Sequence, residues 1–289
     1  MPIESFIDTH QHLLYPDRFR YGWVDGVPTL QGDFPLERYR AESEGCGIGG
    51  TIFMEVDVDE EDAGDEARFF CKLAEDADNR ILGVVAAARP EHEGFEAYLD
   101  LISHPRLKGI RRVLHTQPDD LSRSSRFRDS VGRLGERGLT FDLCVLQRQL
   151  AIALELVASC PETTFILDHC GGPDIAAHGT PEGAGFSEWA EGILALSAHD
   201  NVNCKISGIT TCARVDQRTP DVLRPYVGTA LDAFGPNRCV WGGDWPVCNL
   251  AAGLSVWCQL AEQCCVSMSK AAHSALFTEN AVRIYHLNT

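Results

Sequence analysis

The sequence predicts an α/β fold, a (β/α)8 TIM barrel formed by residues 1–289 as one domain. Three observations predict it. Short apolar runs alternate strictly with helix-like segments, and alternation of this kind favours one parallel sheet. The repeat averages about 33 residues, close to one βα unit of a barrel of about 250 residues. No Pro/Gly/Ser-rich linker divides the 289 residues, and a hydrophobic content of 44% suffices for a full core.

Taken in order, the strands are expected at Ser5–Asp8, Gly50–Val56, Ile81–Arg89, Lys108–Leu114, Leu139–Val145, Thr163–Cys170, Asn201–Ser207 and Cys239–Trp245. Each is bounded by Gly, Pro, Asn or Asp, or by a helical stretch. Helices fall between them, for example at Leu36–Glu44, Asp65–Ala77, Ser125–Arg137, Gln147–Ser159 and Phe186–His199. Two connections exceed what a barrel needs. His12–Pro35, rich in aromatic residues, follows strand one on the face where barrel sites sit. It reads equally as a substrate cover carrying Trp23 or as a packing loop with its own small core. Gly171–Gly185 follows strand six on the same face. The amphipathic segment Lys270–Leu287 is expected to seal the outside of the barrel.

Composition excludes several function classes. A formal charge of −17 argues against nucleic acid and anionic membranes, which need a basic surface. No apolar run approaches a membrane span of about 20 residues. No signal peptide is visible, so a cytoplasmic protein is expected. The twelve cysteines are scattered without a Cys-x-x-Cys pair. They read as small buried residues in a reducing compartment. The expected partner is a small molecule, with a homodimer as the default assembly.

Barrel chemistry sits at strand C-termini. Strand one ends in His10-Gln11-His12. Residues two apart share a strand face, so Asp8, His10 and His12 are expected to line one face. Strand four ends near Arg111, Arg112 and His115, with the two arginines opposed and either one facing the site. Strand six ends in Asp168-His169, of which Asp168 is expected to be buried or to pack outward. Strand seven alternates, and Asn203, Lys205 and Ser207 oppose the apolar set Val202, Cys204 and Ile206. Lys205 then points into the barrel mouth, where it needs a partner such as Asp8 or Asp244. Strand eight ends in Gly242-Gly243-Asp244, whose glycines permit close approach of backbone or ligand.

These segments together resemble the amidohydrolase superfamily, in its amidohydrolase-2 branch of sugar-lactone and 2-pyrone-4,6-dicarboxylate lactonases. The resemblance rests on Asp8–His12, Lys108–Arg112, Leu167–Asp174 with Asn201–Gly208, Gly242–Cys248 and the closing Leu276–Tyr285. It implies hydrolysis of a cyclic ester, with His10, His12, His169 and Asp244 on the family's site positions. Strand five carries no histidine and strand four offers Arg111 in place of a bridging ligand, so a two-metal site is not expected. One Zn²⁺ held by His10, His12, His169 and Asp244 stays open beside a metal-free site.

On this reading Asp244 is the general base that activates water and returns the proton to the leaving alkoxide. His169, Arg111 or a metal stabilises the oxyanion. Trp23, Arg112, His115, Asn203 and Lys205 are the expected substrate contacts. A metal-dependent decarboxylase of the same branch, acting on a carboxylic acid, is the rival enzyme. A non-catalytic binding barrel predicts gaps in the strand-end set, which is complete.

Overall fold

Eight parallel strands lie side by side in chain order in a computed structural model that describes residues 5–179, 181 and 183–288. They are β1 (Phe6–Gln11), β2 (Ile48–Met54), β3 (Ile81–Ala87), β4 (Leu107–Val113), β5 (Thr140–Cys144), β6 (Phe165–Leu167), β7 (Val202–Ile206) and β8 (Cys239–Trp241). The sheet closes on itself between its first and last strands. Gln11 and Trp245 form a parallel bridge, Asp244 N–H donates to His10 O at 2.8 Å, and His12 N–H donates to Trp245 O at 2.7 Å. The expected (β/α)8 barrel is the fold observed.

Helices α1 (Leu36–Glu42), α2 (Ala63–Leu73), α3 (Phe95–Leu101), α4 (Ser125–Glu136) and α5 (Leu150–Ser159) follow β1 to β5. After β6 come the short α6 (Ile175–His178) and then α7 (Ala184–Ser197), and α8 (Pro220–Phe234) and α9 (Leu254–Cys264) follow β7 and β8. The outward residues of the strands meet these helices in one large core, for example Phe53 stacked on Phe70 of α2 with ring centroids 3.5 Å apart. Inside the barrel a second apolar cluster gathers Ile7, Ile52, Met54, Val85, Ile166 and Val240.

Two expectations need correction. The first strand runs on to Gln11, and a register shift between Asp8 and Gln11 changes which residues face inward. Asp8 therefore does not share a face with His10. It turns outward to accept from Tyr39 of α1 at 2.8 Å, and it also takes the backbone N–H groups of His10 and Gly243 at 2.9 and 2.7 Å. The C-terminal segment does not merely coat the outside. After α10 (Lys270–Ser274) and a π-helical turn (Ala275–Glu279), α11 (Asn280–Ile284) brings Ala281, Ile284, Tyr285 and Leu287 onto the inner cluster. Tyr285 is fully buried and plugs the barrel floor.

The loop His12–Pro35 packs into the main core through Leu13, Leu14, Phe19, Tyr21, Leu30 and Phe34, with no separate core of its own among the described residues. Tyr15 and Phe19 pack on Phe69 of α2, and Phe34 meets Trp245 edge-on. In the loop Gly171–Gly185, positions 180 and 182 lie outside the described residues. All twelve cysteines are free, and each is buried except the half-buried Cys212. Among the described residues no helix is long and apolar enough to cross a membrane.

Candidate active site

His10 is the hub at the C-terminal end of the barrel. Its imidazole is fully buried, with Nδ1 3.2 Å from Lys205 Nζ and 3.5 Å from Asp168 Oδ1. Nε2 lies 3.2 Å from Arg111 Nη1 and 3.7 Å from Asp244 Oδ1. Burial, then the Lys205 ammonium, pushes its pKa well below the ordinary histidine value, so the ring is neutral. The His12 ring stands edge-on to it, centroids 4.8 Å apart. Its Nδ1 is 3.0 Å from the Met54 carbonyl, which only accepts, so Nδ1 carries the proton. Nε2 faces Asp244 Oδ1 at 3.6 Å.

His169 and Asp244 both leave their strands in left-handed backbone, with φ of 54° and 57°. Conformations of this kind cost about 1–3 kcal/mol each and persist where surrounding structure fixes them. Ser207 Oγ holds His169 Nδ1 at 2.8 Å, and the His169 ring centroid is 4.6 Å from that of His10. Burial lowers the His169 pKa against the opposing pull of Asp244. The glycines before Asp244 serve backbone packing. A Cβ on Gly242 would stand 2.7 Å from His10 Cβ, and one on Gly243 would stand 2.5 Å from Asp8 Oδ2.

Beneath the histidines lies a buried ionic layer. Lys205 Nζ sits 2.6 Å from Asp142 Oδ1 and 2.8 Å from Asp168 Oδ1, and Tyr285 donates its hydroxyl to Asp142 at 3.0 Å. Burial pushes the Asp142 carboxyl up to about 6 although Lys205 opposes the rise. Asp168 goes the other way. Burial acts against its ionisation, but the Lys205 ammonium holds it well below the usual carboxylate range. Burial acts against the charges of Arg111 and Lys205 too, yet the carboxylates beside them hold both pKa values above their ordinary range. Arg111 gives Nε to Glu55 Oε1 at 2.5 Å and Nη2 to the Glu55 carbonyl at 2.8 Å, which leaves Nη1 directed at His10.

The structure brings His10, His12, His169, Asp244 and Arg111 together, with Lys205 directly against His10, and directs Arg112 and Asn203 elsewhere. Lys205 does point inward, but it is 0% exposed, and its partners are Asp142 and Asp168 rather than Asp8 or Asp244. Asn203 lies near the start of β7 and donates to the Phe165 carbonyl at 3.2 Å, below the ionic layer. Arg112 faces the helix layer and pairs with Glu91 at 2.7 Å. Asp168 is buried, as one of its two expected placements had it, and it faces inward toward Arg111 and Lys205. His115 stays at the mouth, half-buried. Trp23 is 36% exposed at the rim and donates its indole N–H to the Val56 carbonyl at 2.8 Å.

Sequence reasoning missed Glu55, Asp142 and Tyr285. Asp142 carries a readable signal, since it is a carboxylate inside the apolar run Leu139–Val145. Glu55 directly follows the run Gly50–Met54. Nothing local marks Tyr285.

The donors suit a divalent cation. His10, His12 and Asp244 each bring one ligand atom within 4.8 Å of the others, and so do His10, Asp168 and His169. Imidazole and carboxylate are zinc donors, and His12 has the backbone-anchored tautomer such ligands use.

The sequence model of the amidohydrolase family Amidohydro_2 matches residues 7–287. The chain belongs to this amidohydrolase family. An L-fucono-1,5-lactonase of Burkholderia ambifaria is 33% identical over 295 residues, covering 98% of this chain and 96% of its own. One from Burkholderia multivorans is 29% identical over 289 residues, covering 97% and 96%. A crystal structure of a zinc-bound Burkholderia multivorans amidohydrolase superposes with a TM-score of 0.87 at 28% identity, covering 98% of this chain and 100% of that one.

Proposed function

We propose that this amidohydrolase opens an uncharged sugar-type lactone with water activated by Asp244. The observation that carries this reading is the Asp244 carboxylate at the barrel mouth, 3.7 and 3.6 Å from the Nε2 atoms of His10 and His12. The likeness to two fucono-lactonases supports the cyclic-ester substrate. Asp244 takes a proton from water as the oxygen attacks the lactone carbonyl. His169 and the positive charge of Arg111, whose Nη1 is directed at His10, stabilise the oxygen on which charge develops. Asp244 then returns the proton to the ring alkoxide, giving the open hydroxy acid. His10, His12 and Asp244 would hold a divalent cation, which would supply Lewis-acid polarisation of the carbonyl. His115 and Trp23 border the space where the sugar ring lies.

Charge supports the uncharged substrate. The inner set has two cations, Arg111 and Lys205, against four carboxylates, Glu55, Asp142, Asp168 and Asp244. Both cations already hold carboxylates, and Arg112 is turned outward to Glu91. A carboxylate- or sulfonate-bearing lactone entering this mouth meets excess negative charge and no free guanidinium from β4.

A panel of uncharged aldonolactones and carboxylated lactones, read by acid release with a pH indicator, tests the proposal. Turnover confined to uncharged lactones is expected. Faster turnover of a carboxylated lactone would sink the charge argument, and release of CO₂ from an aromatic acid with no lactone opened would favour decarboxylation.

A further inference from the structure

Cys144 ends β5 on the inner wall, one inward position beyond Asp142. The register fixes it there, with Arg111 opposite Asp142 and Val113 opposite Cys144. It is 4% exposed. Its Sγ lies 3.3 Å from Nδ1 of His115, the mouth imidazole that follows β4. The backbone on both sides of the contact is tied, because Leu114 N–H donates to the Cys144 carbonyl at 3.0 Å. Arg148 Nη2 donates to the His115 carbonyl at 3.4 Å.

The chemistry of the pair selects one proton arrangement. A thiol is a donor and its sulfur only a weak acceptor, whereas a neutral imidazole has one good acceptor nitrogen. Burial keeps the Cys144 thiol protonated, pushing its pKa above the ordinary thiol range. Burial, then Arg111 and His169, brings His115 down to about 4, so its ring is neutral near pH 7. S–H therefore donates to Nδ1, and the ring proton resides on Nε2.

We propose that Cys144 is a positioning residue whose S–H bond to Nδ1 fixes His115 as the Nε2–H tautomer, making it a hydrogen-bond donor to an oxygen of the bound lactone. Thiol and imidazole thereby turn the mouth side of β4 and β5 into a donor surface across the barrel from the Asp244 carboxylate. The donor role toward substrate rests on the lactonase reading; the tautomer does not.

Two measurements test it. In unaltered protein carrying nitrogen-15 histidine, His115 Nδ1 is expected to resonate as an unprotonated nitrogen; a protonated Nδ1 overturns the proposal whether or not any lactone is opened. On a hydrolysed lactone, Cys144→Val is expected to raise KM about 5- to 10-fold, the weight of one hydrogen bond, with kcat within about 2-fold. Cys144→Ser restores the donor and should recover most of the loss. An unchanged KM in Cys144→Val, or equal impairment by serine and valine, overturns the proposal by leaving Cys144 a space-filling role. Failure of every lactone to react defeats the lactonase reading instead, and the nitrogen spectrum still decides the tautomer.

Discussion

Replacing Lys205 by methionine keeps an unbranched side chain in place and deletes the ammonium between two buried carboxylates. Lys205, Asp142 and Asp168 are all 0% exposed. The distances removed are 2.6 Å to Asp142 and 2.8 Å to Asp168. Asp168 retains Arg111 at 3.5 Å, whereas Asp142 keeps the Tyr285 hydroxyl at 3.0 Å. Removing one partner of a buried ionic cluster costs about 3–5 kcal/mol. For a chain of this size that corresponds to roughly 6–10 °C in Tm. The pH dependence has a definite sign. Asp142 stands at about 6 in the folded protein, above its unfolded value of about 3.9. Its contribution to stability is therefore fully present below the unfolded value and is lost as pH rises through about 6. Without Lys205, Asp142 moves higher and Asp168 rises from its depressed position, so the folded variant takes up protons as pH falls. Urea unfolding at pH 8 and pH 5.5 should show a large deficit that shrinks at the lower pH. A deficit below about 1 kcal/mol at pH 8, the range of an exposed pair, or one that grows on acidification, would refute the reasoning.

Three further outcomes are expected. Tyr285→Phe removes only the hydroxyl given to Asp142, so stability should drop by about 1 kcal/mol in urea melts while kcat stays within about 2-fold. Glu55→Gln loosens the hold on Arg111, and steady-state kinetics should show kcat lowered about 10- to 100-fold with KM near the parent value. Burial keeps His10 and His169 below the ordinary histidine range, so both are neutral above it. In a His12→Gln background, a plot of log kcat/KM should consequently show no inflection from His10 or His169 between about pH 6.5 and 8.

The order of strands and the identity of His10, His12, His169 and Asp244 were legible because each polar residue interrupts or ends an apolar run. Depth and direction were not. Alternation along β7 put Asn203 and Lys205 inward, but it could not say that Asn203 gives its amide to the Phe165 carbonyl or that Lys205 is held between Asp142 and Asp168. Arg111 and Arg112 have opposite parity, and only the pairing of β4 with its neighbours decides which faces Glu55 and which Glu91. The register shift after Asp8 breaks simple alternation, so Asp8 leaves the face of His10. Tyr285 meets Asp142 across 143 positions of sequence, a contact that no local pattern encodes.

The catalytic role of Asp244 is tested most directly by Asp244→Asn, assayed on a sugar lactone that the unaltered enzyme opens. Asparagine preserves size and removes the base, so kcat is expected to fall about 100- to 10,000-fold while the variant still binds the lactone. Hydrolysis by the variant at the parent rate would contradict the assignment of Asp244 as the group that activates water.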